Sequence, residues 1–329
     1  MAISVSKTRA PDFASLNRGY NAVFSEDGLT LGLVVPIEAY PNTAVPTMQQ
    51  HIERVQQAEA LGFSAVWLRD VPFNVPSFGD AGQMFDPFVY LGALATTTEQ
   101  IALGVSSIIL PLRHPAHVAK AAASADVLSD GRILLGIASG DRFQEYPALD
   151  VNFELRGARF REAYTYIRSM ADSMPQIDSA YGQVGGGMDL LPKPTNGRLP
   201  LLVTGSSQQS PEWIAAHADG WMTYPRPALA QARLIEGYRR NVAEHCEYGK
   251  PVMEPLYIDL VEDAGATPTP IHLGLRLGVD GLRDYLESRQ AIGVNHVALN
   301  LRFNQQDIEQ TLDTLANEIL PHFNNRKSQ

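Results

Sequence analysis

The chain has 329 residues, 45% of them hydrophobic, and a formal net charge of −10. That balance excludes a basic nucleic-acid face and disfavours an anionic membrane surface as partner. The single cysteine, Cys246, rules out an internal disulfide. With no apolar run of the ~20 residues that a membrane span needs and no charged-then-apolar leader, the expectation is a cytoplasmic protein in a reducing compartment.

Residues 1–28 are polar and irregular and read as an arm or cover segment. From Leu29 onward, strands and helices alternate to the end of the chain. LTLGLVVP (29–36) is the first strand. A helix over 47–61 follows, with Met48, Ile52, Val55 and Ala58 on one face, Thr47 as N-cap and Gly62 as terminator. AVWLR (65–69) is the second strand and 87–98 the second helix. Between them, VPFNVPSFGDAGQMF (71–85) has the aromatic, Pro- and Gly-containing composition of a shaped lid or substrate wall.

The third strand ends in VSSII (105–109), where Ser106 and Ser107 interrupt a run that a buried parallel strand should keep apolar. They need a partner. Pro111 and Pro115 open an Ala-rich helix, where a missing amide donor does no harm, and Ser129-Asp130-Gly131-Arg132 closes it. ILLGIASG (133–140) is the fourth strand, again ending in small polar residues, Ser139 and Gly140. The fourth helix is expected over 157–174. The stretch 176–198 holds glycines and prolines that forbid a long helix and suit a hairpin.

PLLVTG (200–205) is the fifth strand, DGWMTY (219–224) the sixth and MEPLYIDLV (253–261) the seventh, with a helix over 228–247 before it. IHLGLRL (271–277) reads as an extra strand-like piece ahead of a helix at 280–291. VNHVALNL (294–301) is the eighth strand. The last helix sets Ile308, Leu312, Leu315 and Ile319 on one face, and 323–329 is a polar tail. Trp67 and Trp221 read as core.

Eight strand–helix pairs in order predict an α/β fold, a single (β/α)8 TIM barrel over 29–322. A doubly wound open sheet is the competing architecture. There is no GxGxxG after the first strand and no GxxxxGK[ST], so neither nucleotide fingerprint is present. The lack of a GxSxG elbow argues against a hydrolase.

Strands that end in small polar residues suit a flat ligand lying across the carboxyl-end mouth of a barrel. Gly205, Ser206 and Ser207 follow the fifth strand. Their free amides and hydroxyls form either a phosphate cradle or an ordinary capping turn. Arg142 has two readings, a phosphate contact or pairing with Asp141 or Glu145. Asp70 would serve as a base if desolvated; the other reading pairs it with Arg69. His114 and His117 lack a carboxylate or cysteine at ligand spacing, so no metal is expected. His114 reads as ordering the loop at the mouth, with proton handling as the alternative. Arg226 has the choice of an anionic substrate group or a surface salt bridge.

The segments LGVSSIILPLRHP and LSDGRILLGIASGD are joined in order by LGLVVP, AEALGFSAVWLRD, DPFVYLGALATTTEQIALG, PLLVTGSSQQS and AAHADGWMTYPRP. Together they resemble the bacterial luciferase-like family of flavin-dependent oxidoreductases over about residues 30–320. The resemblance implies a non-prolyl cis peptide at the end of the third strand, best matched by Ser106–Ser107, against which the isoalloxazine ring leans. It places the flavin phosphate at Gly205, Ser206 and Ser207, with Ser139, Gly140 and Arg142 close by.

It also implies reduced FMN delivered by a separate flavin reductase, dioxygen, oxygenation of a small organic substrate, and a homodimer. Luciferases carry a histidine-rich stretch after the second strand, one histidine of which assists catalysis. WLRDVPF stands there instead, against light emission from a long-chain aldehyde. Asp70 and His114 are the candidate catalytic residues. Alternatives are hydride transfer with a deazaflavin, a flavin-binding protein without turnover and, outside the family, a phosphate-binding barrel acting on a sugar phosphate.

Overall fold

The computed structural model describes residues 12–323. Residues 1–11 of the expected arm and 324–329 of the expected tail lie outside the described residues. Eight parallel strands form the centre. They are β1 (Thr30–Val34), β2 (Ala65–Leu68), β3 (Ala102–Ile109), β4 (Ile133–Ala138), β5 (Leu201–Thr204), β6 (Gly220–Met222), β7 (Val252–Leu260) and β8 (His296–Asn300). Each pairs with the next, and Thr30 sits in register with His296, so β8 returns to β1 and the sheet closes. The fold is a (β/α)8 barrel and not the open sheet.

The strands are buried on both faces, which is why they read as near-continuous apolar runs. Several helices start by the same local rule: a polar cap followed by proline. Asp86 accepts from the amides of Phe88 and Val89 ahead of Pro87, and Ser210 accepts from Trp213 ahead of Pro211. Proline costs nothing at the first helical position, and the cap satisfies amides that have no helical acceptor.

The first helix is His51–Ala60, shorter than the sequence suggests. The Glu38 carboxylate takes the amides of Thr47 and Met48 at 2.8 and 3.0 Å, and Met48 and Gln50 adopt φ of 58° and 53°. Helical propagation begins only after them. The fourth helix, Arg156–Ser169, stops early because Lys193 Nζ takes the Met170 and Asp172 carbonyls at 3.0 and 2.5 Å. The extra strand-like piece is a hairpin, Thr269–Ile271 with Gly274–Leu277, whose second arm adds in parallel to the upper half of β7. The excursion at 176–198 contains the short hairpin Ile177–Ser179 with Gly182–Val184. Among the described residues no helix is long and apolar enough to cross a membrane.

Two cores result. One lies between the sheet and the helices. The other fills the lower barrel, where Trp67 is fully buried among Ala65, Ala102, Leu134 and Met253. Gly104 is required there, since a Cβ would stand 2.2 Å from the Trp67 ring. Within the expected arm, the helix Arg18–Val23 brings Tyr20, Val23 and Phe24 against this core and seals the barrel floor. The Tyr20 hydroxyl donates to the Asp219 carbonyl at 2.8 Å.

A buried relay joins floor to barrel. Trp67 Nε1–H donates to His296 Nε2 at 2.9 Å. An indole can only donate, so Nδ1 of His296 carries the proton and donates to Thr30 Oγ1 at 2.7 Å. The Thr30 hydroxyl in turn donates to the Val23 carbonyl at 2.7 Å. Burial lowers the His296 pKa from 6.5 to about 3, so the ring is neutral.

The unfolded chain takes up a proton at this histidine below about 6.5, and the fold does not until about 3. The stabilisation is therefore complete above 6.5 and declines as pH falls toward 3, by up to about 1.4 kcal/mol per unit. Urea unfolding from pH 7 to 5 should show a steeper pH slope for wild type than for His296→Gln. Equal slopes would rule out a buried neutral His296.

Candidate functional site

The carboxyl ends of the strands open on a cavity of about 460 Å³. Val34, Met222, Met253 and Ala298 contribute to its lining from the barrel interior. All eight residues expected to contact a cofactor, Ser106, Ser107, Ser139, Gly140, Arg142, Gly205, Ser206 and Ser207, line this one space.

At the end of β3 the Ser106–Ser107 peptide is cis. The β3–β4 register shifts between Val105 and Ile108, a bulge that re-aims side chains toward the mouth. The buried Ser107 hydroxyl finds its partner in Thr204 Oγ1 of β5. Ser106 is half-buried at the cavity surface. Beyond β4, the Ser139 carbonyl accepts from the Tyr146 hydroxyl. Gly140 follows at φ 76°, where a Cβ would meet Ile109 Cγ2 at 2.7 Å. A side chain at position 140 would clash with Ile109 and crowd the Tyr146 hydroxyl.

The turn after β5 is built from left-handed residues: Gly205 at φ 57°, Ser207 at 45° and Gln208 at 61°. The Gly205 amide donates to the Met222 carbonyl and the Ser207 hydroxyl to the Thr204 carbonyl. The amides of Ser206, Ser207 and Gln208 meet no acceptor among the described residues. Ser206 is exposed, so its hydroxyl is available as well. Three unmet amides and a hydroxyl make a concave donor set suited to an anion.

Arg142 follows neither expected pairing. It is within ion-pair distance of neither Asp141 nor Glu145. Its Nη2 donates to the Asp80 carbonyl at 3.2 Å, and its guanidinium lies 4.9 Å over the Phe78 ring. The attraction of a cation for an aromatic face and a free carbonyl draw it toward the 71–86 loop. Burial raises the Glu145 carboxyl above its ordinary range, opposed by the charge of Arg142.

Asp70 pairs with Arg113, not Arg69. Its oxygens accept from Arg113 Nε and Nη2 at 2.9 and 2.7 Å and from the Ile109 amide at 3.1 Å. Arg69 and Asp70 are adjacent in extended chain, so their side chains leave in opposite directions. A carboxylate this fully engaged holds the loop after β3.

His114 stands outside the cavity. Its Nδ1 accepts from the Ala116 amide at 3.2 Å as a helix N-cap, which puts the proton on Nε2. Nε2 donates to the Tyr181 carbonyl at 2.9 Å. The ring ties the 177–184 hairpin to the helix Pro115–Leu128, and among the described residues it bonds to none that lines the cavity. Arg226 folds back on Thr223 Oγ1 and the Tyr224 carbonyl, both at 2.8 Å.

Residues beyond the sequence reading complete the site. Asp80 accepts from Arg69 at 2.9 Å and Arg302 at 3.0 Å, and the Tyr40 hydroxyl donates to it at 3.2 Å. Burial alone would raise the Asp80 carboxyl, but the two guanidiniums outweigh it and hold the group at about 2. Nothing local in the sequence joins positions 80 and 302.

Residues 29–257 match the family model described as luciferase-like monooxygenase. The chain is 28% identical over 191 residues to an F420-dependent hydroxymycolic acid dehydrogenase of Mycobacterium tuberculosis, covering 57% of this chain and 52% of that one. It is 28% identical over 167 residues to the oxygenase component of a flavin-dependent trigonelline monooxygenase of Acinetobacter baylyi, covering 50% and 42%. The chain thus spans about half the length of the curated relatives it matches. Among solved structures, the monooxygenase RslO1 of Streptomyces bottropensis superposes with a TM-score of 0.75 at 19% identity, over 89% of this chain and 99% of that one.

Removing the Asp70 carboxylate leaves Arg113 Nε and the Ile109 amide without their acceptor, while Arg113 Nη2 keeps Asp86. Asp70→Ala should lower unfolding free energy in urea by about 2–3 kcal/mol. A variant as stable as wild type would return Asp70 to the list of candidate bases.

Proposed function

Because the chain belongs to the luciferase-like monooxygenase family, we propose that it is an oxidoreductase working with reduced FMN from a separate flavin reductase and with dioxygen. Its reaction is the oxygenation of a small organic substrate at the barrel mouth. The observation that carries this reading is the turn after β5, whose unmet amides share one cavity with the cis bulge of β3. The fit to the cofactor is chemical. A phosphate offers the acceptors that the amides of Ser206, Ser207 and Gln208 lack, and a flat ring suits a space floored by Val34, Met222, Met253 and Ala298.

When bound, reduced FMN supplies the electrons and the activation of oxygen. The chain's own residues position and shelter it. The Gly205–Ser207 turn grips the phosphate, and Ser106 and Ser107 support the ring from β3. The 71–86 loop, pinned by Asp80 to Arg69 and Arg302, keeps water from the reacting atoms. The flavin-dependent trigonelline monooxygenase among the relatives supports this reading. A second reading, hydride transfer with the deazaflavin F420, has the support of the F420-dependent dehydrogenase. The two part on oxygen, which only the first consumes with substrate.

Fluorescence titration tests the assignment. FMN should bind at least tenfold tighter than riboflavin, which lacks the phosphate. Ser206→Ala should weaken FMN about tenfold, the worth of a hydrogen bond to a charged group, and leave riboflavin unchanged. Equal affinities for FMN and riboflavin, or no binding into the high micromolar range, would overturn it. F420 binding far tighter than FMN would select the second reading.

A further inference from the structure

Three arginines from three separate strand ends converge on one residue of the 71–86 loop. Arg69 Nη1 and Arg302 Nη1 reach Asp80 Oδ2 at 2.9 and 3.0 Å, and Arg142 Nη2 reaches the Asp80 carbonyl at 3.2 Å. One carboxylate takes two guanidiniums, and the third lies on the same residue's carbonyl. The other acids lining the cavity do not restore the balance. Asp70 is spent on Arg113, Asp141 is exposed, and Glu145 forms an ion pair with none of the three among the described residues.

Each guanidinium also keeps a buried N–H without an acceptor: Arg69 Nε, Arg302 Nε and Arg142 Nη1. Arg302 is only 8% exposed, and Tyr40 and Phe303 lie 4.9 and 5.1 Å from its guanidinium. Arg69 and Arg302 share the single Asp80 carboxylate, and among the described residues Arg142 has no ion pair; a buried cation short of counter-charge is costly. Pinning the loop needs Asp80 and one arginine; it does not account for three. All three residues line the cavity that holds the strand-end serines.

We propose that this cluster receives the carboxylate of the substrate, so that the substrate class is an organic acid. The planar fork of a guanidinium matches a carboxylate. The inference rests on the proposed function in one respect: the cofactor phosphate goes to the turn after β5, which leaves the arginines for the substrate.

Thermal shift with benzoate and octanoate, against benzamide and octanamide at matched ionic strength, tests it with and without saturating FMN. The acids should stabilise the wild-type protein saturably in both conditions, and the amides should not. Arg142→Gln, which removes no ion pair, should weaken the acids at least tenfold and leave the FMN affinity unchanged; Arg302→Lys should weaken them in the same way.

Equal responses to acids and amides, no response to either, or acid binding indifferent to both variants would overturn the proposal. So would FMN competing with the acids and losing affinity in Arg142→Gln, because the arginines would then hold the cofactor. Failure of FMN to bind would sink the proposed function alone, since the acid arm reads out on the protein without FMN.

Discussion

The interior of a closed eight-stranded sheet has to be filled at one end before it can be left hollow at the other. Here the filling is the Trp67 ring, admitted by Gly104, and the relay that runs through His296 and Thr30 to the Val23 carbonyl. Trp67 and His296 are fully buried, Thr30 is half-buried, and each has its partner, so polar atoms are carried through an apolar interior without an unmet group. With the lower end filled, the space that remains lies at the carboxyl ends of the strands. The serines of β3 and β4 and the turn after β5 meet there because the layer beneath them is fixed.

Charge pairing then sets the shape of the mouth. Adjacent Arg69 and Asp70 diverge, one to Asp80 and the other to Arg113. Asp86 caps its helix with one oxygen and reaches Arg113 with the other. The 71–86 segment is therefore anchored at its middle and at its end by separate arginines, each borrowed from a different strand. A loop with few regular hydrogen bonds of its own acquires a defined position through these contacts, and two of the guanidiniums that anchor it, Arg69 and Arg302, also face the cavity.

What the sequence revealed was what depends on neighbours in the chain. Eight strands and their helices follow from apolar runs and Pro-marked starts, and the small polar strand ends pointed to the mouth. What escaped it depends on residues far apart. Ser107 finds Thr204, Asp80 finds Arg302, and Glu38 delays the first helix by taking its opening amides. His114 drew attention as a titratable residue near a strand end, but its neighbour Pro115 makes it a cap. Arg142 offered two carboxylates within four residues and uses neither, since an aromatic face and a carbonyl from another loop lie closer.

The seal of the barrel floor has a kinetic side. Asn17 bonds to Asp126, Tyr20 to Asp219, and Thr30 to His296, across separations of 109, 199 and 266 residues. A segment synthesised well before its partners thus waits for them, and its apolar side stays uncovered in the meantime. Contacts of such long range form slowly and leave a nascent chain prone to association. For this barrel, the yield of folded protein depends on how that early stretch is shielded until β8 arrives.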